Sequence, residues 1–127
     1  MEQVIKEIKQ LAREFQYSEH GGWMNDIDWW NIPVSMRNLP KDVCGMYACG
    51  HIWLMPCSEP NAIFPTYIHE LRHRWQWKMH PISYILGKLW RPLIEDDAVC
   101  IEECASLWIG KREIHVGELA QPKEETI

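Results

Sequence analysis

The sequence has no long hydrophobic run, no excess of basic residues and no repeated or low-complexity segment. A membrane-spanning helix needs about 20 mainly apolar residues in a row, so no membrane partner is expected. Lys and Arg number 13 against 18 Asp and Glu, which gives a formal net charge of -5 and argues against a nucleic-acid partner. The first residues lack the apolar centre of a signal peptide, so we expect a cytoplasmic protein.

What is present is the composition of one folded domain. The chain has 127 residues, of which 46% are hydrophobic and 24% are charged. Its eight tryptophans can each bury a large area, which helps a small core to be stable. Its five cysteines are an odd number, and free thiols in a reducing compartment are the simpler interpretation.

The first half of the chain predicts one helix followed by a three-stranded sheet. Apolar residues from Val4 to Phe15 recur at three- and four-residue steps, which predicts a helix over residues 2–17. Prolines separate β-favouring segments farther along, and these predict strands at 29–36, 43–48 and 51–55. Cys49-Gly50 is expected to form the hairpin turn between the last two strands.

The second half predicts two principal helices. Pro65 suits the start of a helix over 65–79, which Pro81 would end. Pro92 suits the start of a last helix over 92–109, which Gly110 would close. The predicted fold class is therefore α+β, with residues 1–110 as one domain and residues 111–127 as a partly mobile tail.

The motif that indicates chemistry is His69-Glu70-Leu71-Arg72-His73, which has the pattern H-E-x-x-H. Residues four apart on an α-helix lie about 40° apart around its axis, so His69 and His73 can share one tetrahedral Zn²⁺. Glu70 is rotated away from the two imidazoles, in a position to serve as general base toward a metal-activated water. The alternative without a metal site is a surface helix that carries two partly exposed histidines and a surface glutamate.

A third zinc ligand is sought among the acids of the last helix. Taking Ile101 as the centre of its buried stripe, Asp97 lies about 40° away and Glu95 about 120° away. Burial therefore favours Asp97, whereas side-chain length favours Glu95. Glu102 shares the flank of Glu95 and is a further candidate, as ligand or as an outer hydrogen-bond partner. Asp97 could equally accept a hydrogen bond from a ligand imidazole.

The stretch from Gly45 to His73 resembles the zincin metallopeptidases, and among them the gluzincins and their smallest members, the minigluzincins. Pro92–Ala98 resembles the family's E-x-[ED]-A segment, in which the first acid is the ligand; this resemblance points to Glu95. It also implies a zincin-like minimal catalytic domain with an N-terminal helix, a short sheet, an active-site helix and a following helix. Many gluzincins carry Asp four residues after the ligand Glu, where this chain has Val99.

The resemblance implies a peptidase that binds one catalytic Zn²⁺ and acts on a peptide or protein substrate. By this resemblance, the family's substrate-binding edge strand above the cleft corresponds to His51, Ile52, Trp53 and Leu54. An extended peptide could add alongside unpaired backbone groups there. Tyr84 and His80 are the candidates for stabilising the transition state.

Two alternatives remain open from the sequence alone. The chain could be a zinc-stabilised binding or regulatory module that has kept the metal site and cleaves nothing. A structural zinc site could also form from one histidine and three cysteines, namely Cys44, Cys49, His51 and Cys57. The spacing of these four residues matches no standard zinc knuckle.

Overall fold

Helices and a small sheet make up the part of the chain that the structure, a computed structural model, describes: residues 2–89 and 92–120. The four helices are α1 (Glu2–Gln16), α2 (Pro60–Met79), α3 (Pro81–Leu89) and α4 (Pro92–Ala120). The three strands are β1 (Val34–Met36), β2 (Gly45–Ala48) and β3 (His51–Leu54). The predicted α+β class is confirmed.

The sheet has the strand order β1-β3-β2, so β3 lies in the centre. It pairs in parallel with β1 and antiparallel with β2, with Gly45 opposite Leu54 and Ala48 opposite His51. The predicted turn at Cys49-Gly50 is confirmed. Both residues have positive φ, 51° and 76°, as a two-residue hairpin of the favoured twist requires.

The predicted strand over 29–36 is wrong in its first half. Residues Trp29–Asn31 form a short 3₁₀ helix, and a second one precedes it at Gly22–Asp26. Only Val34–Met36 pairs with β3. Trp29 is buried in the core, so the β-favouring tryptophan reflects packing and not strand pairing.

Helix α2 begins at Pro60, five residues before the predicted start. Pro60 lies at the first helical position, where its missing N–H costs nothing. Pro65 lies inside the helix and removes one intrahelical hydrogen bond. The flanking side chains of Phe64 and Ile68 are fully buried, and this burial offsets the loss.

Helix α4 does not end at Gly110, as the sequence predicted, but continues to Ala120. An interior glycine costs only about 1 kcal/mol relative to alanine. Beyond it, Arg112 pairs with Glu14 of α1 at 3.1 Å, and Glu113 accepts a hydrogen bond from Asn61 at 2.6 Å. The predicted mobile tail thus begins as helix, and its last residues, 121–127, lie outside the described part of the chain.

The hydrophobic core lies where α2 meets the other elements. Its largest fully buried side chains come from α1, the 3₁₀ helix Gly22–Asp26, the sheet and α2: Ile8, Phe15, Met24, Ile52, Leu54, Phe64, Tyr67, Ile68 and Leu71. Phe15, Phe64 and Trp108 pack as an aromatic cluster with ring centroids 5.5–5.9 Å apart. This core holds α2 between α1, α4 and the sheet, and so fixes the helix that bears the H-E-x-x-H motif.

Over residues 2–89 and 92–120, no helix combines the length and the apolar character needed to cross a bilayer. All five cysteines are free thiols, the simpler of the interpretations given above.

Candidate metal centre

The H-E-x-x-H segment lies in the middle of α2 and brings two imidazoles together. The ring centroids of His69 and His73 are 4.8 Å apart, and their Nε2 atoms are 3.2 Å apart. His73 is buried and His69 is nearly so. The one-turn spacing therefore has the outcome expected from the sequence: both rings face the same point.

Helix α4 brings a carboxylate to that point. The Oε1 atom of Glu95 lies 3.0 Å from Nε2 of His73, and its Oε2 atom lies 3.3 Å from Nε2 of His69. Ligand atoms of these three residues all fall within 4.8 Å of one another. The acid that the family resemblance indicated is thus the one that meets both histidines, although burial alone favoured Asp97.

The outer nitrogen of each ring has its own partner. Nδ1 of His69 lies 2.7 Å from a carboxylate oxygen of Glu102, which has no hydrogen to give when ionised. Nδ1 of His73 lies 2.9 Å from the amide oxygen of Gln76. In both pairs the ring Nδ1–H donates, so Nε2 of each neutral ring carries a lone pair.

With both rings in this tautomer, the two Nε2 atoms, 3.2 Å apart, and the Glu95 carboxylate are three acceptors that meet at one point. Such an arrangement repels itself unless a proton or a cation occupies the centre. Bonds of about 2.0–2.2 Å in a tetrahedron would set zinc ligand atoms roughly 3.3–3.6 Å apart. The two Nε2 atoms are 3.2 Å apart, and they lie 3.0 and 3.3 Å from the two different oxygens of Glu95, so two imidazoles and one carboxylate are close enough together to hold one divalent cation of the zinc type.

Glu70 lies beside this cluster without belonging to it. Its side chain is only 6% exposed, and burial, followed by the charges of Glu95 and Glu102, raises its pKa to about 8. A hydrogen bond from the Tyr47 backbone opposes that rise. A cation at the neighbouring cluster would also favour the charged form, because an opposite charge lowers a carboxyl pKa.

Gly45 gives Glu70 the space that it occupies. A Cβ atom added at Gly45 would lie 3.1 Å from Oε2 of Glu70 and 2.7 Å from Cγ2 of Thr66. The strand can approach α2 this closely only because residue 45 has no side chain.

A cleft of about 800 Å³ opens over the cluster. Its walls come from three places: the edge strand β2 and the residues before it, the exposed side of α2, and the facing side of α3 and α4. The lining residues are Asp42, Val43, Cys44, Gly45, Met46, Tyr47, Ala48, Thr66, His69, Glu70, His73, Tyr84, Lys88, Ile94, Glu95 and Glu102.

Asp97 lies behind the cluster, where it bonds neither histidine. Its carboxylate accepts two hydrogen bonds from Arg72, at 2.7 and 3.0 Å, and one from Gln76 at 2.8 Å. Burial raises the pKa of Asp97, but the hydrogen bonds from Arg72 and Gln76 outweigh this effect and leave that pKa below its ordinary value. Its hydrogen-bonded link to His73 therefore passes through Gln76.

The two candidates for transition-state stabilisation lie in different places. Tyr84 is buried, lines the cleft and packs its ring edge-on against His73, with the centroids 6.2 Å apart. His80 is exposed, packs against Trp75 and does not line the cleft. Of the two, Tyr84 is the residue that the cleft contains.

The predicted substrate-binding edge strand is wrong. Strand β3, which carries His51, Ile52, Trp53 and Leu54, is paired on both sides and has no free edge. Ile52 and Leu54 face the core. His51 and Trp53 stack on each other, with ring centroids 3.9 Å apart, and neither lines the cleft. The edge strand that borders the cleft is β2, one strand earlier in the chain.

Two residues near the site had no role in the sequence-based prediction. Gln76 follows His73 by three residues, a spacing that places both on one helix face and could have suggested their contact. Tyr47 lines the cleft from β2, but no sequence pattern distinguishes it from a core tyrosine.

The alternative zinc site of Cys44, Cys49, His51 and Cys57 does not form, because these four residues do not gather. The ligand cluster found among the described residues consists of His69, His73 and Glu95.

Comparison with protein-family models, with curated proteins and with solved structures finds no significant match to any of them.

Proposed function

We propose that the chain is a zinc-dependent peptidase that holds one Zn²⁺ through His69, His73 and Glu95. The observation that carries this proposal is that ligand atoms of two imidazoles and one carboxylate lie within 4.8 Å of one another, beside a cleft. Two nitrogens and one carboxylate oxygen are a ligand set that zinc takes in hydrolytic enzymes, with a fourth position left open.

The metal would polarise a scissile carbonyl and make water more acidic. Glu70 is the general base of this proposal, because it is the buried carboxyl next to the ligands. Without a cation, a carboxyl with a pKa of about 8 would hold a proton at neutral pH. A bound cation would lower that pKa, so that the Glu70 carboxylate could take up a proton at its Oε atoms and return it to the leaving amine.

The free edge of β2 supports a peptide as the substrate. The backbone N–H of Met55 bonds the carbonyl of Cys44, so residue 44 pairs with the neighbouring strand. By the alternation of an antiparallel ladder, Gly45 and Tyr47 direct backbone groups to the free side. Since the Tyr47 backbone also bonds Glu70, this edge runs past the proposed general base, and an extended peptide could add to it there.

Tyr84 is the group that we propose for stabilising the oxyanion. Burial, with smaller contributions from Tyr47, Glu70 and Glu95, raises its pKa to about 12. The phenol therefore keeps its proton and can donate a hydrogen bond in the cleft.

We further propose that the fold is zincin-like. In support, the order of elements is an N-terminal helix, a three-stranded sheet, a helix with H-E-x-x-H and a later helix that supplies a glutamate. This order resembles the gluzincin core.

The test separates metal binding from cleavage. Wild type and the variant Glu70→Gln are purified without chelator, their zinc is measured by elemental analysis, and both are incubated with a library of quenched fluorescent peptides. Glu103→Gln, an exposed acid on α4, is the matched control. We expect equal zinc in all three proteins, cleavage by wild type and control, and no cleavage by Glu70→Gln.

Other outcomes contradict the proposal in different ways. Zinc without cleavage by any of the three proteins would favour the alternative of a metal-stabilised binding module. Equal cleavage by wild type and Glu70→Gln would exclude Glu70 as the base. Absence of bound zinc, even after zinc is added, would remove the proposal altogether.

A further inference from the structure

A chain of polar contacts leads from the surface of α2 to the back of His73. Arg72 donates two hydrogen bonds to Asp97, Asp97 accepts one from the amide nitrogen of Gln76, and the amide oxygen of Gln76 faces Nδ1 of His73 at 2.9 Å. Gln76 is buried, so its amide cannot turn freely to water. None of these three residues belongs to the ligand set.

The orientation of the Gln76 amide follows from its surroundings. Its Nε2 atom lies 2.9 Å from the carbonyl oxygen of Ile94 and 2.8 Å from a carboxylate oxygen of Asp97. Both partners accept here, because a carbonyl has no hydrogen and the Asp97 carboxylate already accepts two hydrogen bonds from Arg72. The amide must therefore give both of its hydrogens to them, and its oxygen is left to accept the Nδ1–H of His73.

The far end of this chain is held rigidly. The Arg72 guanidinium lies over the rings of Trp75 and Trp23, at 3.8 and 5.1 Å from their centroids. Planar stacking combined with a two-point bond to a carboxylate is a geometry that arginine can make and lysine cannot. Asp97 thus has a fixed position, and so does the amide that bonds it.

The same contacts also reach the third ligand. Ile94 and Asp97, the two residues of α4 that Gln76 bonds, flank Glu95 in sequence on its two sides. Gln76 therefore ties the segment that carries Glu95 to the helix that carries both histidines. The Gln76 side chain thus contacts His73 on α2 and the residues on both sides of Glu95 on α4.

We propose that Gln76 is a positioning residue that sets two ligands at once: it fixes the Nε2 lone pair of His73 and it holds the Glu95 segment against α2. Arg72 and Asp97 keep its amide in that orientation. The inference rests on the proposed metal site but not on catalysis. Loss of an outer partner of this kind lowers metal affinity by about 10–100-fold.

The first experiment observes His73 directly in metal-free protein. Long-range ¹H–¹⁵N correlation spectra, at a pH where the rings are neutral, distinguish a protonated from an unprotonated ring nitrogen. We expect Nδ1 of His73 to be protonated in wild type, because it donates to Gln76, and to lose this proton in favour of the Nε2–H tautomer in Gln76→Leu. A wild type with Nδ1 unprotonated would overturn the proposal without any variant.

The second experiment measures zinc affinity by competition with a chromophoric chelator. We expect Gln76→Leu and Arg72→Met to bind zinc more weakly, by about 10–100-fold and by a smaller factor respectively. Arg112→Met is the matched control, since Arg112 also makes a two-point bond with a carboxylate, that of Glu14, away from the site. Circular dichroism verifies that each variant is folded.

The outcomes distinguish this inference from the proposed function. If wild type binds no zinc, the metal site fails, while the tautomer measurement still tests what Gln76 does to His73. If wild type binds zinc and Gln76→Leu binds it equally well with an unchanged His73 tautomer, Gln76 has only a structural role. An equal loss of affinity in Arg112→Met would likewise show a general effect of stability and would overturn the proposal.

Discussion

The carboxylate of Glu102 lies 2.7 Å from Nδ1 of His69, on the side of the ring that faces away from the acceptor cluster. Glu102 comes seven residues after Glu95, which is two turns of α4, so one face of this helix carries both acids. The position where the gluzincin resemblance expects an aspartate is Val99, which is exposed. The glutamate one turn farther along supplies the carboxylate that His69 contacts.

Removing this carboxylate is expected to weaken metal binding and leave the fold intact. In Glu102→Ala the His69 ring loses the acceptor that fixes its tautomer, and zinc affinity should fall by about 10–100-fold. Glu102→Gln keeps an oxygen that can accept the same hydrogen bond, so its loss should be smaller. Competition with a chelator measures both, and Glu103→Ala is the control on the exposed side. An affinity unchanged in Glu102→Ala would exclude the outer role of Glu102.

The two acids that competed for the role of third ligand can be separated by substitution. Glu95→Ala removes an oxygen from the acceptor cluster and should abolish stable zinc binding, because two imidazoles alone hold the ion weakly. Asp97→Ala leaves the cluster complete and should cost less affinity, through the freed Gln76 amide. Elemental analysis after dialysis checks both. A greater loss in Asp97→Ala would contradict the assignment of Glu95.

How much of the site could be predicted depended on how local each interaction is. His69, Glu70 and His73 share one helix, and the helical repeat fixes their relative directions from spacing alone. Glu95 belongs to another helix, so its direction depends on how α4 packs against α2. Asp97 is nearer to the buried stripe, yet the fixed position of Arg72 holds it behind the cluster. The position of Asp97 on its own helix does not predict this ion pair, because Arg72 lies 25 residues earlier in the chain.

The sheet shows a second limit of sequence patterns. The hairpin of β2 and β3 follows from the Cys49-Gly50 turn, but the pattern does not say which of the two strands receives β1. The parallel pairing of Val34 with Ile52 puts β1 beside β3 and thereby moves the free edge over the cleft to β2. Long-range pairing of this kind leaves no signal in local periodicity, so the sequence offered nothing to correct the resemblance, which indicates β3 as the edge.

Gly45 offers a test of the close contact between β2 and Glu70. In Gly45→Ala the new methyl group would lie 2.7 Å from Cγ2 of Thr66 and 3.1 Å from the Glu70 carboxylate, so one of them must move. We expect a destabilisation of about 1–3 kcal/mol in urea unfolding, and reduced peptide cleavage with zinc retained. Gly22→Ala is the control, since nothing lies within 4 Å of its added Cβ.

A second substitution shows whether the crowding is the cause. Thr66→Ser removes the Cγ2 methyl group, so the double variant Gly45→Ala/Thr66→Ser should recover part of the lost stability. The interaction free energy comes from the double-mutant cycle. Additive losses in the two variants would show that the methyl group of Thr66 is not what the alanine meets.

Tyr84→Phe tests the proposed oxyanion stabiliser without disturbing the packing of the ring. The phenylalanine keeps the contacts with His73 and Trp77 but has no hydroxyl to donate. If the phenol donates only in the transition state, kcat and kcat/KM for a cleaved peptide should both fall, by about 100-fold, while zinc content stays equal to that of wild type. Tyr17→Phe, at a side chain that is 82% exposed, is the matched control. A rise in KM with an unchanged kcat would instead place the hydroxyl among groups that bind the substrate uniformly, because such a group contributes equally to ground state and transition state.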